Sequence, residues 1–286
     1  SRGRGHIHIA DGQSRSLATR RLKIESELPD ALAEDQLTLL YQPVVNLCTG
    51  EIYGAESLLR WLHPQLGTRP PSELIPVAES SGLTHHLSLW GADRLARDIA
   101  RLRSSDCELS QIELGMNLSN AQLSNPMICD DLVEVLARHG LQPHDLVVEI
   151  TETHIIGRDD TAESTIRCLD EAGVRIALDD FGSGFSTLEY LTRLHIRHLK
   201  VDRQFVQLLP HNERARKIVA GLVTMSADLG MSVIAEGIET VEELDYCREM
   251  GIEYGQGFLL QRPAPFPRLL STGSISLGPE AALAPV

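Results

Sequence analysis

No stretch of this chain approaches the roughly 18 consecutive apolar residues that a membrane-crossing helix requires, and no signal-peptide pattern opens it. The segment is therefore expected to be soluble and cytoplasmic, with no membrane contact of its own. Basic charge is scarce, and the formal net charge is −14 over 286 residues. A non-specific grip on nucleic acid or anionic lipid needs a basic face, so neither is an expected partner. A phosphorylated substrate stays compatible with that balance, provided that local cations, bound metals included, hold it. Cysteine is sparse as well. The five, Cys48, Cys107, Cys129, Cys168 and Cys247, are scattered without C-x-x-C spacing, which argues against a disulfide scaffold and a thiolate zinc site. They are read as buried thiols of a reducing compartment. Glycine and proline stand at ordinary levels, which excludes collagenous, elastic and disordered classes. No repeat of fixed period is visible. An initiator methionine is missing, so a piece of something longer is expected.

Apolar residues make up 42% of the chain, enough for one large core or two modest ones. The first 20 residues are basic, polar and turn-rich and read as a linker, with the alternation His6-Ile7-His8-Ile9 hinting at a short strand. The spacing of Leu22, Ile24, Leu28 and Leu32 predicts an amphipathic helix over 21–34. Strand-like segments follow at 37–45, 52–59, 112–118, 146–151, 174–179, 198–202, 232–235 and 254–259. Amphipathic helices such as 132–139, 161–172 and 215–229 lie between most of them. Eight strands with mostly helical crossovers in about 230 residues predict an α/β fold of the (β/α)8, TIM-like barrel type; a doubly wound open sheet is the alternative. Residues 46–51 are too few for a crossover helix, so the first two strands should form a hairpin and one strand should run antiparallel. The globular domain is placed at 21–270, with 271–286 as a flexible tail.

Polar residues gather at the strand ends. Glu56 lies in the second strand, Asn117 and Glu149 near the ends of the third and fourth, and Asp179-Asp180 at the end of the fifth. Lys200 and Asp202 end the sixth, Glu236 the seventh, and Gln256 sits in the eighth. In a (β/α)8 barrel the strand C-termini converge on the rim where active sites are found. A single charged strand end is ordinarily a solvated cap, but carboxylates or amides at seven successive ends form a pattern. By alternation Glu56 and Arg60 share a face, as do Lys200 and Asp202. Asp179 and Asp180 can serve one site only if the chain turns there, which Phe181-Gly182-Ser183-Gly184 permits. Six carboxylates against the one cation Lys200 give a formal −5, which two divalent ions would bring to −1. Oxygen-rich ligands with one amide suit Mg²⁺ or Mn²⁺, with Ca²⁺ possible and zinc a poor fit. Two such ions are the standard device for in-line attack on a phosphodiester. Among the eleven histidines, the pair His85-His86 falls in a helical stretch and is read as structural.

With these residues in place the chain resembles an EAL domain, from about residue 27 to 267. The signature triplet stands as Glu56-Ser57-Leu58 within YGAESLLRW. Around it are YQPVV at Tyr41, NLS at Asn117, EITE at Glu149, DDFGSGFSTLEYL at Asp179, LKVD at Leu199, AEGIET at Ala235 and YGQGFLLQRP at Tyr254. The ordered set is specific where a lone E-x-L would mean nothing. The resemblance implies hydrolysis of one phosphodiester bond of cyclic di-GMP to linear pGpG, with two Mg²⁺ or Mn²⁺ ions and with Ca²⁺ binding but inhibitory. It implies Glu56, Asn117, Glu149 and Asp179 as ligands of the first ion, and Asp179 and Asp180 as ligands of the second, with Glu236 nearby. Lys200 would orient the attacking water with Asp202 as its neighbour. Whether Glu236 or a hydroxide made by the metals serves as the base stays open. Gln42 and Arg60 match substrate contacts, and Gln256 a residue beside the metal–water network. Glu152 matches a glutamate that anchors the loop after Asp180, a loop linked to activity and dimerisation, so a homodimer is expected. Ser57 replaces the triplet's usual alanine but faces away from Glu56. Ser183, Phe185 and Thr187 stand where Thr, Tyr and Ser are common. The first ten residues resemble the end of a GGDEF cyclase domain, so GGDEF or sensory domains are expected upstream. Two other readings remain: a catalytically silent nucleotide receptor, and a metal-dependent barrel enzyme for a phosphorylated sugar or enolisable acid.

Overall fold

The computed structural model describes residues 12–34, 36–105, 108–151, 160–182, 191–275 and 277, the side chains of 12–21, 108 and 160 excepted. The chain begins with α1 (Gly12–Ala33) and a hairpin of β1 (Leu37–Asn46) and β2 (Ile52–His63), followed by β3 (Gly67–Arg69). Then come α2 (Pro71–Ser81), α3 (Thr84–Arg103), β4 (Glu113–Asn117), α4 (Asn120–Leu123), α5 (Ile128–Arg138), β5 (Leu146–Thr151), α6 (Asp160–Ala172) and β6 (Arg175–Phe181). The remainder is β7 (Ile196–Val201), α7 (Arg203–Leu208), α8 (Glu213–Asp228), β8 (Ser232–Ala235), α9 (Val241–Glu249), β9 (Tyr254–Gly255), β10 (Ala264–Pro265) and α10 (Phe266–Ser271).

The sheet closes. β1 pairs with β2 on one side and β9 on the other, both antiparallel. From β2 through β4, β5, β6, β7 and β8 to β9 every pairing is parallel. This is the expected eight-stranded barrel with one reversed strand, and closure excludes the doubly wound alternative. The reversal follows from the short connection. Asn46 Oδ1 accepts from the Cys48 and Thr49 amides at 2.9 and 3.0 Å, and Gly50 adopts φ +80, so the chain doubles back within a few residues. Each parallel step instead needs a crossover long enough to return the chain to the same end of the barrel.

The strand residues pointing outward meet the helices in one extended core that includes Val148, Leu178, Leu199 and Ala235. A smaller apolar cluster docks α1 onto the barrel through Ile24, Leu28, Trp61, Leu74 and Val77. At the strand N-termini, Glu113 closes the barrel floor. It bonds Arg175 at 2.9 Å, Arg197 at 3.3 Å and His198 at 2.5 Å. No described helix is long and apolar enough to cross a membrane.

Several expectations need correction. The first helix begins at Gly12, inside the stretch read as linker; residues 1–11, including His6 to Ile9, lie outside the described residues. Part of the stretch read as tail is ordered against the hairpin: Ser274 bridges Glu51, and the Ile275 amide donates to Gly50 O at 2.8 Å. The cysteine reading fails for one pair. Cys129 of α5 and Cys168 of α6 form a disulfide, and Cys48 is exposed, whereas Cys247 is buried as a thiol. The two bonded residues are 39 apart in sequence, and only the packing of neighbouring helices brings them together. Cys107 lies outside the described residues.

Candidate active site

Strands β2, β5 and β6, together with the residue after β8, each carry a carboxylate into the barrel mouth, and β7 carries the ammonium they surround. Lys200 is 2% exposed. Its Nζ lies 2.8 Å from Glu236 Oε1, 3.2 Å from Asp179 Oδ1 and 3.5 Å from Glu56 Oε2, and it donates to Glu149 Oε2. Two amides hold these carboxylates, and one of them bridges a pair. Asn117 Nδ2 donates to Glu56 Oε1 at 2.6 Å, and Gln256 Nε2 donates to Glu56 Oε2 at 2.8 Å and Glu236 Oε1 at 3.0 Å. Gln256 Oε1 is buried without a hydrogen-bond partner among the described residues. Backbone bonds place Glu236 and Gln256 where their strands end: the Glu236 amide donates to Val201 O and the Gln256 amide to Ala235 O.

Two local features of the chain make room for this arrangement. Gly115 of β4 pairs with Glu56 in register, and a Cβ there would overlap Glu149 Oε1. A side chain at that position would displace the Glu149 carboxylate from the mouth. The second feature is at Asp179-Asp180. Between the pairs Leu178–Leu199 and Phe181–Val201 the register slips by one residue, and Asp180 has φ +55. Such a bulge bends the strand and re-aims its side chains. The turn therefore falls within the strand at Asp180 itself, ahead of Gly182. Carboxylate oxygens of Asp179, Asp180 and Glu236 consequently all lie within 4.8 Å of one another.

Asp202 begins α7 as its N-cap, its Oδ1 accepting from the Gln204 amide at 2.7 Å, and its side chain also hydrogen-bonds Asp180. Gln42 pairs with Glu56 across the hairpin, and its Nε2 donates to Gln261 O at 3.3 Å. Arg60, half-buried on the Glu56 face of β2, donates from Nη1 to Leu59 O at 2.8 Å. Ser57 points out of the barrel, beside Leu87 and Ser88 of α3. His85 meets Asn125 at 2.9 Å and Asp131 at 3.5 Å, away from the mouth. Thus Glu56, Asn117, Glu149, Asp179, Asp180, Lys200, Asp202, Glu236 and Gln256 converge, with Gln42 and Arg60 nearby on β1 and β2. Glu152, Ser183, Phe185 and Thr187 lie outside the described residues. One feature went unassigned in the sequence. Phe258, two residues past Gln256, is 48% exposed, and the Arg262 guanidinium sits 4.2 Å from its ring centre. The motif YGQGFLLQRP contains both, but nothing in it announces that the ring faces solvent.

The charges do not balance within the protein. Burial pushes the Glu149 carboxyl up to about 8, Lys200 opposing and Glu56 and Asp179 adding to the rise. Glu236 is likewise raised well above the usual carboxylate range, by burial first, with Lys200 again opposing. Burial and then Asp179 push Asp180 up to about 6. Burial alone would lower Lys200, but Asp179, Glu149, Glu236 and Glu56 hold it firmly protonated. One ammonium cannot neutralise so many carboxylates, so the cluster must take up protons or further cations. Its donors are oxygens throughout, with amides and no thiol or imidazole, which fits Mg²⁺ or Mn²⁺.

A closed (β/α)8 barrel with a cluster of carboxylates around one buried lysine at its mouth defines the class of domain, a barrel whose acidic mouth could hold cations. Residues 25–263 match the EAL domain family, and the chain belongs to it. It is 35% identical over 267 residues to the cyclic di-GMP phosphodiesterase NbdA of Pseudomonas aeruginosa, covering 93% of this chain and 34% of that protein. Over 270 residues it is 35% identical to the bifunctional diguanylate cyclase/cyclic di-GMP phosphodiesterase MucR of the same species, covering 94% and 39%. This chain therefore spans little more than a third of these relatives. The solved structure of the PaMucR phosphodiesterase in complex with c-di-GMP superposes with a TM-score of 0.80 at 35% identity, covering 87% of this chain and 100% of that one. The EAL enzyme Bd1971, in its form with cAMP and cyclic di-GMP bound, gives 0.79 at 30% identity, covering 89% and 69%.

Proposed function

We propose that this chain is a cyclic-di-GMP phosphodiesterase that opens one phosphodiester of its substrate to give linear pGpG, using two Mg²⁺ or Mn²⁺ ions. The observation that carries the reading is the convergence of Asp179, Asp180 and Glu236 beside the buried Lys200 at the barrel mouth. Glu56, Asn117, Glu149 and Asp179 would hold one cation, and Asp179 and Asp180 the other. When bound, the cations supply charge neutralisation and a more acidic attacking water. Ca²⁺, with its looser shell, would bind without supporting much turnover.

The chain's own groups do the rest. Lys200 aims its N–H donors at the centre of the cluster and orients the attacking water. Glu236, 2.8 Å from the Lys200 ammonium, is the base that takes the proton on a carboxylate oxygen when ionised. Gln256 fixes Glu56 and Glu236 relative to each other through one amide group, while its unpartnered Oε1 accepts from water or substrate. Asp202 steadies Asp180. Gln42 and Arg60 grip the substrate, Arg60 through its cationic fork. Phe258, backed by Arg262, offers an exposed face on which a guanine stacks. By the same reading Glu152 anchors the loop after Asp180, the domain works as a cytoplasmic homodimer, and GGDEF or sensory domains precede it in the parent protein.

The deciding experiment is incubation with cyclic di-GMP and Mg²⁺ or Mn²⁺, with and without EDTA, resolving pGpG from GMP. Metal-dependent pGpG is expected. Binding of the nucleotide without turnover would make the chain a receptor, and full turnover in excess EDTA or equal rates with Ca²⁺ would refute the metal assignment.

A further inference from the structure

We propose that Cys129 and Cys168 form a reversible dithiol–disulfide site whose closure clamps the strand carrying Glu149. The inference is independent of the hydrolytic reading, because it rests on the helix layer outside the barrel. Cys129 is 1% exposed in the first turn of α5, and Cys168 is only partly buried on α6. Their Cα atoms are 6.2 Å apart and their sulfurs are in bonding contact, within the separation a disulfide spans without backbone movement. The loop they close runs through β5, with Glu149 inside it. The free thiols described, Cys48 and Cys247, are not partners: one is exposed at the hairpin turn and the other is on the buried face of α9.

The contact is chemically selective. The better-exposed Cys168 thiolate can attack a low-molecular-weight disulfide, RSSR, forming a mixed disulfide and releasing one RSH. Cys129 lies in the first turn of α5, against Cys168. It then attacks the Cys168 sulfur and releases the second RSH. The balance is protein(SH)₂ + RSSR → protein(S–S) + 2 RSH, a two-electron exchange. A thiol-rich compartment drives it backwards. Asp130 also has a carboxylate oxygen within 4.8 Å of both sulfurs, but it is exposed, and the sulfur–sulfur bond leaves no room for an ion between them. Closing a loop of this size removes freedom chiefly from opened states, so the oxidised chain should protect β5 against local opening.

The test uses the full chain, equilibrated in a series of oxidised-to-reduced glutathione ratios, quenched, alkylated and mapped by peptide mass. Cys129 and Cys168 should lose alkylation together, as one linked peptide pair, across a single two-electron transition. Backbone hydrogen exchange over 146–151 should be at least about tenfold slower in the oxidised form, and the melting temperature about 5 °C or more higher. Cys129→Ser and Cys168→Ser should each abolish both differences, and Cys129→Ser should leave Cys168 as an unresolved mixed disulfide with glutathione. Full alkylation of both cysteines at every ratio would overturn the proposal. So would linkage to any other cysteine, a zinc ion retained by the pair, or identical β5 exchange in the two forms of the wild-type chain.

Discussion

Replacing Lys200 by methionine removes the single cation from a cluster of four carboxylates while keeping the length of the side chain. Removing one partner from a buried ion cluster costs about 3–5 kcal/mol, because the remaining charges are left uncompensated. Here the loss should fall near the lower figure. Glu149 and Glu236 already have carboxyls raised by burial, so protons relieve part of the repulsion at neutral pH. A loss of about 3 kcal/mol in a chain this long lowers the melting temperature by roughly 6–12 °C. The assay is thermal unfolding by circular dichroism in EDTA and then in Mn²⁺. Mn²⁺ supplies the positive charge that Lys200 no longer contributes, so it should stabilise Lys200→Met more than the wild-type chain. Turnover of cyclic di-GMP should still fall at least about a hundredfold, because neutralised charge does not orient a water. Equal stability in EDTA, together with turnover near that of wild type, would refute the role of Lys200 on both counts.

Glu56→Ala should reduce turnover at least about a hundredfold and leave the circular dichroism spectrum unchanged, since removing one carboxylate eases the repulsion in the apo chain. Retention of more than about a tenth of the rate would remove Glu56 from the metal shell. Phe258→Ala should raise KM about tenfold or more with kcat little changed, the loss of roughly 1–3 kcal/mol of base stacking; an unaltered KM would mean that the exposed ring does not touch substrate. Glu113 tests the barrel floor. Burial alone would raise its carboxyl, but His198, Arg175 and Arg197 pull it down to about 2 from an ordinary 4.5. A carboxylate depressed on folding contributes its stability above the unfolded value and loses it as pH falls towards the folded one. Glu113→Gln should therefore cost about 3 kcal/mol at pH 7, and the gap to wild type should shrink between pH 4.5 and 2 in urea titrations. A gap independent of pH would show that charge plays no part.

The sequence by itself determined the barrel and the composition of its mouth. Alternating apolar strands with amphipathic crossovers admit few architectures, and the five residues between β1 and β2 could only reverse the chain. Because strand ends converge in such a barrel, Glu56, Asn117, Glu149, Asp179, Lys200, Glu236 and Gln256 could be placed at one rim before any coordinates. Tertiary structure alone decided the contacts that depend on distant segments meeting. How Asp179 and Asp180 both turn inward was settled by a slip in pairing against β7 that local residue preferences do not specify. The vacancy at Gly115 has meaning only beside Glu149 on the next strand. Neither the exposure of Phe258 nor the ordering of Ser274 and Ile275 on the hairpin could be inferred from composition. The Cys129–Cys168 bond lay furthest from the sequence. Its spacing matches no motif, and the two sulfurs meet only because successive crossover helices pack side by side on the outside of the barrel.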